Sequence, residues 1–271
     1  MSELEALYEN DGFIIVDSLF DSKTIQTLRE EILCIYKGER GYVKGMNDVN
    51  YELSDFEILN SINCIYNSHK ISELIFSYIS NEKIIEILKI IIGANVKCMQ
   101  SMIFTKPPGA PGQAWHQDEV PIPTRDKSLC GCWIALDDAE ESNGCLWVLS
   151  GSNKKGILYE RVKHEDPEYD HIHMAKGFNE NEYESIPVVM KAGSVLFFNG
   201  YLLHKSTKNR SKNLFRRALV FHYMSAESWC GKGGVADNRD VILACGKDPY
   251  EYKGYTNESV PAIRSSRETF Y

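Results

Sequence analysis

Basic residues are in short supply: Lys and Arg total 30 against 38 Asp and Glu, and the net charge is −8. A protein that tracks phosphate backbones concentrates positive charge to release counterions, so nucleic acid is not an expected partner. An anionic small molecule stays open, because a pocket can be locally basic. The first twenty residues, MSELEALYENDGFIIVDSLF, lack a long apolar core and carry acidic side chains, so neither a signal peptide nor a transmembrane segment is expected there. Cytoplasm is the expected location, with no membrane partner, and the chain is expected to act as a monomer or homodimer. Of the eight cysteines, none is expected in a disulfide without an export signal. The one close pair, Cys130-Gly-Cys132, lies in a strand-like run where i and i+2 share a face and pack together. No second pair is spaced to complete a four-ligand zinc site. Internal repeats and low-complexity tracts are also lacking.

What the sequence does have is enough apolar material for a large core: 271 residues, 43% hydrophobic and 25% charged. The expectation is a single domain over 1–271, with a helical N-terminal part (about 18–93), a β-rich core (about 94–225) and a tail (226–271). From Asp21, an N-cap residue type, Ile25, Leu28, Ile32 and Ile35 recur at helical spacing until Gly38. A second apolar run, Ile71 to Ile92, is divided by Ser80-Asn81 into two expected helices. Between them, 38–55 reads as a polar loop. Beyond Gly93 the texture turns to short β-rich runs at 97–104, 129–136, 144–148, 186–190, 194–198 and 216–223, split by turn formers. Many short strands after a helical prefix point to a β-sandwich or barrel flanked by helices. The acidic stretch 159–185 reads as an insertion, and with 38–55 it is expected to form a lid over a site.

The chemistry-bearing residues are Trp115-His116-Gln117-Asp118-Glu119, then Leu203-His204-Lys205-Ser206, then Phe215-Arg216-Arg217. In a strand His116 and Asp118 project from one face and Gln117 from the other. A distant His204 would complete two imidazoles and a carboxylate on one side of an octahedron, an arrangement suited to ferrous iron with three positions open. A 2-oxo acid can fill two of these and dioxygen the third. The far carboxylate of such a diacid needs a partner, and Arg216 offers planar two-point pairing, with Ser206 as a further donor. Arg217 faces the other side of the same strand and reads as a surface charge. His171 and His173 form a competing pair, without β pattern or a following Arg. His69, His164 and His222 read as structural or exposed, although His222 shares strand parity with Arg216. Asp137-Asp138 and Glu140-Glu141 read as a solvated turn, and Lys106, Arg125 and Lys127 as surface charges.

Several blocks together resemble the phytanoyl-CoA dioxygenase family. They are 11–17 (DGFIIVD) with its following helix, His116-Gln117-Asp118, 133–138 (WIALDD), 143–147 (NGCLW) with Ser150-Gly151-Ser152, and His204 through Phe215-Arg216. The resemblance implies a mainly β fold with flanking α-helices around a double-stranded β-helix (jelly-roll, cupin-like) core. It also implies Fe(II) on His116, Asp118 and His204, with 2-oxoglutarate and O2 as co-substrates. By the same likeness Arg216 and Ser206 bind the C5 carboxylate, Trp133 walls the co-substrate pocket, and Gln100 and Met102 line it. The interval from His204 to Arg216 is one residue longer than the family pattern, so Arg217 stays open as an alternative. Related halogenases lack the carboxylate ligand; Asp118 here favours hydroxylation or another oxidation. The expected substrate is a small molecule, among which an acyl-CoA, a lipid or a natural-product intermediate stay open. The alternatives are a cupin-type metalloenzyme that needs no 2-oxo acid, or a non-catalytic relative that binds metal or ligand.

Overall fold

Among the described residues, five α-helices form: α1 (Glu3–Asp11), α2 (Ser22–Tyr36), α3 (Asp55–Leu59), α4 (Glu73–Tyr78) and α5 (Glu82–Ile91). The computed structural model describes residues 2–47, 50–170, 173–229, 231–232, 235–236, 241–255 and 257–264. Asp21 caps α2 by accepting from the Thr24 N–H at 2.8 Å, and Asn81 starts α5 after the break expected there. Ile25, Leu28, Ile32 and Ile35 of α2 are fully buried, each such side chain contributing about 1.5–3 kcal/mol. Leu28→Ala, which leaves a void at a wholly enclosed position, costs about 2–5 kcal/mol.

The strands are β1 (Phe13–Val16), β2 (Cys64–Tyr66), β3 (Val96–Lys106), β4 (Gln113–His116), β5 (Cys130–Ala135), β6 (Leu146–Leu149), β7 (Glu160–Val162) and β8 (Met174–Lys176). They continue as β9 (Ser185–Val188), β10 (Val195–Asn199), β11 (His204–Ser206), β12 (Arg216–Ser225), β13 (Gly231–Lys232), β14 (Val235–Ala236), β15 (Ile242–Cys245) and β16 (Ala262–Ile263). One antiparallel sheet runs β1-β10-β5-β12-β3-β2-β16, with β15 also on β3, and a second runs β4-β11-β6-β9. Period-two alternation sorts the large sheet's side chains. Cys132, Ile134, Leu219, Phe221 and Tyr223 face the helices, whereas Trp133, Leu196, Phe198, Ala218 and Val220 face the small sheet and pack with Val148 and Val188. Two facing antiparallel sheets with helices outside one of them are the jelly-roll arrangement.

The Cys130 and Cys132 thiols are free and buried, and burial pushes Cys130 up to about 12, so the pair packs as apolar side chains. The β1 strand, the short β2 and the β7–β8 hairpin stand beyond the β runs read from the sequence. Loop 38–55 is pinned by Val43, 1% exposed, and by a bridge from Lys44 to Ala262. No described helix is long and apolar enough to cross a membrane.

Candidate metal centre and co-substrate pocket

His116 is the last residue of β4 and His204 the first of β11, and the two are direct cross-strand partners. Pairing partners present their side chains side by side on one face, and the ring centroids stand 4.0 Å apart. Gly112 permits the close seating of β4, since a Cβ there would lie 2.1 Å from the Ser206 carbonyl oxygen. Asp118 does not share a strand face with His116 as expected. The strand ends at His116, Glu119 N–H donates to Gly200 O at 3.0 Å, and Asp118 sits in the turn that follows. The turn returns its carboxylate to the two rings: Asp118 Oδ1 is 3.8 Å from Nε2 of both His116 and His204. Among the described residues this is the group of His, Cys, Asp and Glu spaced to hold one ion.

The donor atoms are pre-set. His116 Nδ1 donates to Ala114 O at 2.8 Å and His204 Nδ1 to Leu202 O at 3.0 Å. Each backbone bond selects the tautomer that leaves the Nε2 lone pair free toward the shared point. Burial, with the neighbouring His204 ring, pushes His116 down to about 3, so this imidazole is neutral and fit to ligate. Burial alone would raise Asp118, but His204, His222 and His116 outweigh it and hold the carboxyl well below its usual range. Two neutral imidazole nitrogens and one carboxylate oxygen are the donor chemistry of a ferrous site, so these residues fit the ion.

Behind the cluster, His222 Nε2 donates to Asp118 Oδ2 at 2.9 Å and its Nδ1 accepts from the Gln100 amide at 3.1 Å. Gln100 and His222 are register partners on β3 and β12. His222 thus holds the carboxylate through the oxygen that faces away from the rings. Gln117 is buried, donating to Ile157 O and Tyr201 O at 2.9 and 2.7 Å, and fastens the strand end to its surroundings.

At the other end of the same cavity lies Arg216. It begins β12 on the inward parity, 3% exposed, over the Trp133 ring at 5.4 Å. Its Nε is buried without a hydrogen-bond partner among the described residues. Arg217, one residue on, donates through Nε and Nη2 to the Asp137 carboxylate at 2.8 and 2.7 Å and does not line this cavity. Asp137 and Asp138 are therefore not a merely solvated turn, since Asp138 in turn pairs with Lys191. The residue that sequence reading missed is Lys106, the direct register partner of Arg216. It is 7% exposed, and its ammonium donates to Ser206 Oγ at 2.9 Å and Thr207 O at 2.6 Å. Gln113 N–H also donates to Ser206 Oγ, at 3.1 Å, so the hydroxyl accepts twice and keeps its own proton to donate. Strand parity with Gln100 and Met102 was the available signal, but a lone Lys at a strand end reads as exposed. Burial and then Arg216 hold the Lys106 ammonium well below its usual range.

The cavity measures 920 Å³ and is lined by all eight residues singled out beforehand: His116, Asp118, His204, Arg216, Ser206, Trp133, Gln100 and Met102. Segment 159–185 reaches it through Arg161, Pro167, Tyr169, Asp170 and His173, but no described residue of loop 38–55 does. The tail supplies Ser259, Val260, Ala262 and Arg264 instead. His171, half of the competing pair, lies outside the described residues. His69 is buried with Nδ1 2.8 Å from Ser101 Oγ, outside this cavity.

Over residues 8–218 the chain matches the phytanoyl-CoA dioxygenase (PhyH) family. It belongs to that family. Among curated relatives, it is 28% identical over 248 residues to a probable alpha-ketoglutarate-dependent hypophosphite dioxygenase of Stutzerimonas stutzeri, covering 90% of this chain and 86% of that one. It is 27% identical over 233 residues to the human peroxisomal phytanoyl-CoA dioxygenase, covering 83% and 68%. Among solved structures, the apo non-heme monooxygenase ThoJ superposes with a TM-score of 0.69 at 18% identity, covering 99% of this chain and 90% of that one. The epimerase SnoN, solved with Fe3+, alpha ketoglutarate and nogalamycin RO, gives 0.65 at 18% identity, covering 86% of each. At such identities these neighbours speak to the fold, and they share it.

Proposed function

We propose that this chain, as a single dioxygenase domain over 1–271, converts 2-oxoglutarate and O2 to succinate and carbon dioxide while hydroxylating, or otherwise oxidising, a C–H bond of a small molecule. Membership of the family makes it a non-haem iron- and 2-oxoglutarate-dependent dioxygenase. In this reading His116, Asp118 and His204 hold the iron, and Arg216, Lys106 and Ser206 hold the C5 carboxylate of the co-substrate. The observation that carries it is an imidazole and carboxylate donor set sharing one cavity with two adjacent buried cations, neither in ion-pair contact with a carboxylate among the described residues.

Iron, when bound, would supply the oxygen-activating chemistry that couples decarboxylation to oxidation of the substrate. The chain's own residues do the rest. The Ala114 and Leu202 carbonyls fix the two rings, and His222 orients Asp118 through Oδ2, leaving Oδ1 toward the rings. Arg216 and Lys106 are like charges placed directly opposite on paired strands, a costly arrangement without an anion. A C5 carboxylate between them converts repulsion into two charge-assisted contacts. Trp133 covers that end, under the Arg216 guanidinium, and Phe198 and Val220 add apolar lining to the cavity. The volume exceeds what a five-carbon diacid fills and lies within the range of small-molecule sites, so a second small molecule fits beside it.

The test is succinate release by the anaerobically reconstituted protein on admission of air. Release should require both Fe(II) and 2-oxoglutarate and be lost in Asp118→Ala. A protein whose melting temperature ignores 2-oxoglutarate after iron loading, and which releases no succinate, is instead a cupin-type metalloprotein.

A further inference from the structure

The cavity has a second cationic wall that neither the metal donors nor the Arg216–Lys106 anchor explains. Arg161 stands on β7, opposite Ala175 of β8, and lines the cavity half-buried. It has no hydrogen-bond or ion-pair partner among the described residues. Arg264 follows β16, its backbone N–H donating to Cys64 O at 2.9 Å, which turns the side chain inward at 16% exposure. Its nearest carboxylate is Asp170, at 3.8 Å from Nη1 and so beyond hydrogen-bond length. Other arginines of this chain meet a carboxylate closely: Arg217 with Asp137 at 2.7–2.8 Å and Arg40 with Glu31 at 2.9 Å, each in two-point contact, and Arg29 with Asp137 at 3.2 Å. Arg161 and Arg264 have no such match.

The two guanidinium groups also sense each other and the metal carboxylate. Burial lowers Arg161, Arg264 lowers it further, and Asp118 opposes both. Burial would lower Arg264, but Tyr66 and then Asp170 outweigh it and hold it above its usual range, so both cations persist in one cavity whose described carboxylates are Asp118 and Asp170. Half-buried like charges are tolerated where an anion completes the site. Arg161 comes from the 159–185 insertion and Arg264 from the tail, just past edge strand β16 of the large sheet, so both come from peripheral segments, where substrate selection resides. Arg216 and Lys106 sit on β12 and β3, so the second pair is built on separate elements.

We infer that the molecule oxidised by this enzyme carries an oxyanion, a carboxylate or phosphoryl group, that seats between Arg161 and Arg264. The inference rests on the dioxygenase reading above, because it assigns the Arg216–Lys106 end to 2-oxoglutarate and this end to the second substrate. The anion sets the orientation, and the remainder of the molecule extends toward the metal donors.

The probes are matched sets: straight-chain carboxylates with their carboxamides, and alkyl monophosphates with the parent alcohols. Binding is measured by calorimetry under argon on the Fe(II)–2-oxoglutarate protein, and succinate release is measured in air. Members of the anionic sets should bind and raise succinate release, and their neutral counterparts should do neither. Arg161→Gln and Arg264→Gln should each weaken anion binding by about tenfold to a hundredfold, the loss of one charge-assisted contact. Arg161→Lys, which keeps charge without the planar fork, should lose less. The 2-oxoglutarate dissociation constant, set by Arg216, should shift by less than about threefold and reports that each variant is folded. Equal binding of neutral and anionic members, no binding by any anionic member, or anion binding indifferent to both substitutions overturns the inference. Failure of 2-oxoglutarate to bind the wild type defeats the dioxygenase reading, and with it the claim that a bound oxyanion is the molecule oxidised; 2-oxoglutarate binding without anion binding defeats this inference alone.

Discussion

Replacing Arg216 by Met separates two effects that most substitutions confound. In the ligand-free protein the guanidinium is 3% exposed, lacks a partner for Nε among the described residues and is the cross-strand neighbour of the Lys106 ammonium. Burial pushes it down to about 10 from 12.5, which corresponds to a cost of about 3 kcal/mol for keeping the charge in place. Met retains much of the stem's volume over Trp133 and removes that cost. The ligand-free variant should therefore melt several degrees higher, at about 2–4 °C per kcal/mol for a protein near this size. The liganded state behaves oppositely. A two-point carboxylate pairing lost from a buried site costs about 3–5 kcal/mol, weakening 2-oxoglutarate by at least about a hundredfold. Melting curves of the iron-loaded protein under argon, with and without 2-oxoglutarate, read both effects. A variant that melts lower than wild type when empty, and is still stabilised equally by 2-oxoglutarate, would show that Arg216 is a structural cation and would refute the reasoning.

Other outcomes follow from the same geometry. Lys106→Met should raise the 2-oxoglutarate dissociation constant by about tenfold or more, the value of one charged contact, read by the same titration. His222→Phe, which removes the donor to Asp118 Oδ2, should weaken Fe(II) binding about 10–100-fold in a competition against a metal-sensing chelator; His222→Gln should recover part of it. His69 is pushed down to about 4 by burial and then Lys70, against an unfolded value near 6.5. Because the unfolded chain binds the extra proton first, stability should fall as pH drops from 6.5 to 4, by about 3 kcal/mol. Urea melts of His69→Asn should lose that part of the acid limb, and identical limbs in the two proteins would exclude His69 as its source.

Much of the site could be read from the chain because it obeys local parity. Residues 216, 218, 220 and 222 of β12 share the inward face, so the spacing that put Arg216 in the pocket also carried His222 there. The helices were legible because Asp21 and Asn81 cap apolar repeats. What escaped depends on pairing across long sequence separations. The opposition of Lys106 and Arg216 spans 110 residues and is fixed only by the register of β3 on β12. Asp118 reaches His116 by a turn, not a shared strand face, which a two-residue spacing cannot reveal. The β7–β8 hairpin and β16 are two or three residues per strand, too short for alternation to register, and they are the elements that bring Arg161 and Arg264 to the cavity.

The central claim, that His116, Asp118 and His204 together hold one ferrous ion with positions left for a 2-oxo acid, is tested most directly by an anaerobic Fe(II) titration with 2-oxoglutarate present. The readout is the visible charge-transfer absorption that arises when a 2-oxo acid chelates Fe(II). The absorption should saturate at one iron per chain and be missing from His204→Ala and Asp118→Ala at the same concentrations. Absorption that survives in both variants, or none in the wild type at saturating iron, would contradict the account.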